Sequence, residues 1–99
     1  MNNKTAIIQE LNKLELGSVG QRVKFEVMEI GSFVIRDKEV LVSDEDRDCT
    51  IIASIDTFKG LLRGNLNPAS IYMNGELKIK GDVSVAMQLG KYLNNSNRS

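Results

Sequence analysis

The order of apolar and polar residues along the chain predicts a succession of short helices and strands. Residues 4–16 repeat apolar side chains at intervals of three and four, the spacing of an amphipathic helix. We expect Gly17 to end this helix and the segment GSVGQ to form a linker. Residues 23–27 then alternate apolar with polar side chains, which is typical of a half-buried strand.

Short turns separate the apolar runs that follow and predict an antiparallel meander. Turns are expected at residues 31–32 and 37–38, and strands at 33–35 and 40–42. A fourth strand is predicted at 50–53. Residues 43–48, SDEDRD, connect the third and fourth predicted strands. This segment is acidic, but it lacks the turn glycine and the final glutamate of a calcium-binding loop.

The rest of the chain alternates between helical and extended patterns, bounded by residues that favour helix ends and turns. The predicted elements are a helix from Asp56 to Arg63, a helical turn from Pro68 to Gly75, a strand at 77–79, a helix from Asp82 to about Leu93, and a polar tail at 94–99. The fold class is therefore α+β, and residues 1–99 are expected to form a single domain.

The last predicted helix is apolar on two faces. Its residues fall into two nearly opposite groups, namely Val83, Ala86, Met87 and Gly90, and Val85, Leu89, Tyr92 and Leu93. A helix that packs once on a sheet needs a single apolar stripe. The second face therefore needs the N-terminal helix, a second subunit or an apolar ligand to cover it.

Charge and composition remove several classes of function. The 13 basic residues balance the 13 acidic ones, and only five aromatic residues are present, so neither an attractive field nor a stacking surface for nucleic acid is expected. The chain has no histidine, which excludes Ser-His and Cys-His catalysis and histidine-based metal sites. We therefore expect no catalytic residue, no metal and no cofactor.

Residues 48–89 resemble the sterol carrier protein type 2 family, the nonspecific lipid-transfer and sterol-binding domain. The resemblance rests on several short motifs in order: Asp48-Cys49-Thr50-Ile51, Phe58, Gly64, Asn67-Pro68, Tyr72, Gly75, Leu77-Lys78-Ile79, Gly81 and Ala86-Met87. The first 47 residues match only in the order of elements and are short for the family. Ile71 stands where an alanine is common, which implies a narrower pocket.

The resemblance implies a five-stranded mixed sheet covered by helices on one face, which encloses an apolar cavity. It implies binding, and transfer between membranes, of a fatty acid, an acyl-CoA, a sterol or a phospholipid. Residues on the matching elements and apolar faces are expected to contact the ligand: Phe25, Val27, Phe33, Phe58, Leu62, Tyr72, Met73, Val83, Met87 and Gly90. Flexible methionine side chains suit a ligand of variable shape.

The alternative function is an accessory module that presents a lipid or a quinone-type intermediate to a partner enzyme. In either case we expect a monomer or a weak homodimer that touches anionic membranes transiently through its basic C-terminal half. The chain shows no signal peptide, no transmembrane run and no peroxisomal C-terminal tripeptide, and its one cysteine fits a reducing compartment. A cytoplasmic location is therefore expected.

Overall fold

In the computed structural model, which describes residues 3–13, 17–63 and 65–96, helices and strands follow the predicted order with one additional short helix. The elements are α1 (Asn3–Asn12), α2 (Gly17–Gly20), β1 (Val23–Val27), β2 (Gly31–Arg36), β3 (Glu39–Val42), β4 (Cys49–Ala53), α3 (Ile55–Leu62), α4 (Pro68–Met73), β5 (Lys78–Gly81) and α5 (Val83–Ser96).

The five strands form one mixed sheet in the order β3-β2-β1-β4-β5. The β1–β2, β2–β3 and β4–β5 pairs are antiparallel. β1 and β4 are parallel, with Val23 opposite Cys49 and Val27 opposite Ala53. This topology confirms the predicted α+β fold with a five-stranded mixed sheet.

Strand alternation places most of the buried apolar side chains of the sheet on the face that the helices cover. Phe25 in β1 lies beside Ile51 in β4, which in turn lies beside Ile79 in β5. These residues belong to one apolar core to which all five helices contribute, through Ile7, Leu11, Val19, Phe58, Leu61, Leu62, Ile71, Val85, Ala86 and Leu89. The core therefore lies between one face of the sheet and the helices.

The opposite face of the sheet is crossed by the acidic connector between β3 and β4, residues 43–48. Lys24 alternates with the inward residues of β1 and points to this outer face, where its Nζ lies 3.0 Å from Oδ1 of Asp44. The hydrogen bond from Lys24 holds the pKa of Asp44 below its usual value. The predicted acidic loop is thus an ion-paired strap across the sheet.

The region around Gly17 differs from the prediction. Gly17 was expected to end a helix and begin a linker, but it begins α2, which ends at Gly20. The reason is Val19, which is buried in the apolar core and anchors this single helical turn despite its glycines. The predicted end of the first helix, at residues 14–16, lies outside the described residues.

Two smaller predictions, on the position of the first hairpin turn and on the start of α3, are also wrong. The first hairpin turns at residues 28–30, so Gly31 already belongs to β2. The N-cap of α3 is Ser54, whose hydroxyl oxygen accepts the Thr57 N–H, and Asp56 lies in the first turn instead. The extended φ and ψ of Ser54 suit a capping residue, since the first helical N–H groups need such an acceptor.

The turn chemistry before and after α4 is confirmed. Asn67 caps α4 by accepting the Ala69 and Ser70 N–H groups, and Pro68 occupies the start of the helix. Gly75 has a φ of 81°, a left-handed conformation that favours glycine. These features fix how α4 leaves α3 and returns to β5.

Candidate binding cavity

A small cavity lies between the β4–β5 side of the sheet and helices α3, α4 and α5. Its volume is about 10 Å³, close to the space that one water molecule needs. Nine described residues line it, and each is apolar or glycine: Ile51, Leu61, Pro68, Leu77, Ile79, Ala86, Met87, Leu89 and Gly90. The interior is therefore apolar and nearly filled.

Helix α4 closes the cavity by resting on α5. Pro68 packs against Gly90, where a Cβ atom would lie 3.3 Å from the Pro68 Cγ. Because glycine has no side chain, the two helices approach closely at this point. Any larger residue at position 90 would push α4 outward.

The other end of α4 is tied to the strand that forms the cavity floor. The Ile71 carbonyl accepts the N–H groups of Glu76 and Leu77, at 2.9 and 3.1 Å. Leu77 is buried and lines the cavity just before β5 begins. The turn at Gly75 thus holds the end of α4 against Leu77 and the start of β5, which form the cavity floor.

The aromatic part of the core lies beside the cavity wall, since Phe25 in β1 is opposite the cavity-lining Ile51 in β4. The rings of Phe25 and Phe58 meet edge to face, with their centroids 6.1 Å apart. Phe58 lies on α3, one turn before the cavity-lining Leu61.

The structure separates the ten residues predicted to contact a ligand into three groups. Met87 and Gly90 line the cavity itself. Phe25, Val27, Phe33, Phe58 and Leu62 are buried in the surrounding core. The other three face solvent, with exposed fractions of 40% for Tyr72, 85% for Met73 and 40% for Val83.

Sequence reasoning did not select most of the cavity wall. Ile51 and Ile79 form a cross-strand pair on the inward face, a relation that depends on strand order rather than on either strand alone. Leu89 was placed on the second apolar face of the last helix, and Ala86 on the first. Both residues line the cavity. Helix α5 packs against β4, β5, α2 and α4, so residues of both predicted apolar faces are covered.

The buried thiol of Cys49 lies in β4, two residues before the cavity-lining Ile51. Burial, followed by the nearby Asp82 carboxylate, raises the pKa of the Cys49 thiol to about 11, so this thiol stays protonated near neutral pH. Within the residues that the structure describes, no group of three or more acidic, cysteine or histidine side chains is arranged to hold a metal ion. No helix in the same residues is long and apolar enough to span a bilayer.

Comparison with known sequences gives one family for nearly the whole chain. A profile of the SCP-2 sterol transfer family matches residues 6–94. Human sterol carrier protein 2 (Homo sapiens) is 43% identical over 47 residues, which make up 48% of this chain and 9% of the human protein. The match thus spans less than a tenth of that relative's length.

Two solved structures share the fold. A sterol carrier protein 2 of Aedes aegypti, solved in complex with the C16 fatty acid palmitate, superposes with a TM-score of 0.70 and 15% identity, covering 93% of this chain and 91% of that one. A UbiJ-SCP2 ubiquinone synthesis protein superposes with a TM-score of 0.59 and 25% identity, covering 92% and 80%.

Proposed function

Because the chain belongs to the SCP-2 sterol transfer family, we propose that it binds the apolar part of a lipid between its sheet and helices α3, α4 and α5, without catalysing a reaction. The observation that carries this proposal is the composition of the cavity wall, in which every described lining residue is apolar or glycine. Such a wall offers no polar atom that would have to find a partner inside a hydrocarbon-filled site.

Binding requires the cavity to open, since its volume of about 10 Å³ is far below the roughly 300–1,000 Å³ of typical ligand pockets. The free energy for opening is available from the ligand, because each buried methylene contributes about 0.8 kcal/mol. A chain of ten methylenes therefore contributes about 8 kcal/mol towards the rearrangement that opens the cavity.

The ligand contacts that we propose come from the first two groups of residues, since Tyr72, Met73 and Val83 face solvent. Met87 and Gly90 meet the ligand first, because they already line the cavity. As the cavity enlarges along α3, Phe58 and Leu62 form its deeper wall, backed by Phe25, Val27 and Phe33. An aliphatic wall of this kind selects by length and bulk, so fatty acids, acyl-CoA esters, sterols and phospholipids are all candidates. The palmitate bound to the Aedes aegypti relative favours a fatty acyl chain.

The proposed use of this site is the carriage of lipid between membranes. A second candidate is the presentation of a quinone-type intermediate to an enzyme, which the likeness to the UbiJ-SCP2 ubiquinone synthesis protein favours. The two differ in the molecule that is carried. A carrier exchanges acyl lipids between vesicles unaided, whereas a presenting module binds a prenylated ring and needs its enzyme partner.

Native mass spectrometry of the purified protein tests the proposal. We expect a monomer with one apolar molecule of lipid mass, which organic extraction releases and identifies. A fluorescent fatty acid should then bind the delipidated protein at one site per chain. A protein that carries no lipid and binds neither the fatty acid nor a prenylated quinone would contradict the proposal.

A further inference from the structure

The outer side of α4 is unusual because it is uncharged and carries the most exposed large hydrophobic side chain among the described residues. The helix reads PASIYM and buries Ile71. On its outer side, Met73 is 85% exposed and Tyr72 40% exposed. Large apolar side chains presented together on a charge-free helix indicate a surface that meets something apolar.

The position of α4 connects this surface to the cavity. Pro68 lines the cavity on the inner side of the helix and rests on Gly90 of α5. The inner and outer sides of a helix are separated by its diameter, about 10 Å. A lipid that leaves the cavity beneath α4 therefore emerges beside Tyr72 and Met73.

The charged residues beside α4 are few and balanced. Lys91 on α5 is exposed, and so is Glu76, which follows α4 in the chain. Lys78 points to the outer face of the sheet, because it alternates with the cavity-lining Leu77 and Ile79. An uncharged apolar tip of this kind suits insertion between the headgroups and acyl chains of a bilayer.

The size of the surface argues against a protein partner. A stable protein interface buries about 800 Å² on each side, and even a fully buried aromatic side chain supplies only about 150–250 Å². Tyr72 and Met73, partly exposed on a helix of six residues, fall well short of that area. A bilayer imposes no such minimum, because each inserted side chain gains by leaving water.

We propose that α4 is the membrane-contacting element, which inserts Met73 and Tyr72 into a bilayer and opens the cavity towards it. The role of this contact in lipid exchange rests on the proposed lipid-binding function, whereas the contact itself does not.

Tryptophan reporters test the contact, since the chain has no tryptophan. Met73→Trp is compared with Met28→Trp, because Met28 is also a methionine that is more than half exposed, on the β1–β2 turn. Vesicles of phosphatidylcholine and phosphatidylserine with brominated acyl chains should shift the Met73→Trp emission to the blue and quench it, and should leave Met28→Trp unchanged. An unquenched Met73→Trp, or equal quenching at both positions, would overturn the proposal.

Met73→Asp tests the consequence for exchange. Binding of a fluorescent fatty acid in buffer should be unchanged, whereas its transfer between anionic vesicles should slow by about tenfold, because an inserted apolar side chain is replaced by a charge. Met28→Asp should transfer at the wild-type rate. Wild-type transfer by Met73→Asp refutes the membrane role of α4 even if lipid binding holds. Failure of the wild-type protein to bind any lipid refutes the proposed function instead, and the tryptophan result still decides the contact.

Discussion

Met87 offers the sharpest test of where the ligand lies. It is half buried on α5 and lines the cavity, while the next residue, Gln88, is exposed. Met87→Asp should therefore place a carboxylate in the path of the ligand, and Gln88→Asp should place the same group in water. The two variants carry the same charge one residue apart on the same helix.

The expected loss of affinity follows from two contributions. Losing contact with two or three ligand methylenes costs about 2 kcal/mol. Leaving a polar group against hydrocarbon without a partner costs a further 1–3 kcal/mol, roughly. The sum of about 3–5 kcal/mol corresponds to at least about a 100-fold increase in Kd. Met87→Leu conserves volume and apolarity, so it should bind nearly as well as the wild type.

Titration of a fluorescent fatty acid measures the three affinities, and circular dichroism with urea unfolding establishes that each variant is folded. We expect Met87→Asp to bind far more weakly than Gln88→Asp and Met87→Leu. A folded Met87→Asp protein that retains wild-type affinity would show that the ligand lies elsewhere and would refute the proposed cavity.

Two further predictions concern the frame of the site. Gly75 and Gly81 both have positive φ, so alanine at either should cost about 1–2 kcal/mol. Gly81→Ala should cost more, because its Cβ would collide with the Asp48 carbonyl oxygen whereas that of Gly75 meets open space. Equal urea midpoints for the two variants would contradict this reasoning. The raised pKa of Cys49 means that the folded state holds its proton more tightly than the unfolded state. Its contribution to stability is therefore complete below pH 9.0 and is lost as the pH rises towards about 11. Cys49→Ala should lose less stability over that interval, and identical pH profiles would rule the effect out.

The strands and most helix ends were predictable because the responsible signals are local. Alternation in residues 23–27 indicates one buried face whatever the strand pairs with, and the left-handed turn at Gly75 follows from glycine itself. The family resemblance implied a mixed sheet, but it did not specify that β1 pairs with β4 in parallel. Alternation alone gives the faces of two strands but not their order in the sheet.

The cavity wall was less predictable, and α4 shows why. A helix of six residues makes fewer than two turns, so its sequence does not distinguish inner from outer residues. Tyr72 and Met73 fit an apolar wall by composition, but the hydrogen bonds from Glu76 and Leu77 to Ile71 orient the helix so that Ile71 points inward. The orientation is thus decided by contacts that form only after the chain has returned to β5.

The parallel β1–β4 pair also has a consequence for the time course of folding. β1, β2 and β3 are joined by tight turns and need only local encounters, whereas β4 reaches β1 only after the chain closes a loop over residues 28–48. Closing this loop costs chain entropy before the contacts between β4 and β1 can form. We therefore expect the meander to form early and β4 to dock in the rate-limiting step. Stopped-flow refolding of Ile51→Val in β4 should then show a slower folding rate, because the contacts of Ile51 form in this step. The segment that carries the cavity floor and all the helices beyond it thus joins the sheet through a single long-range event.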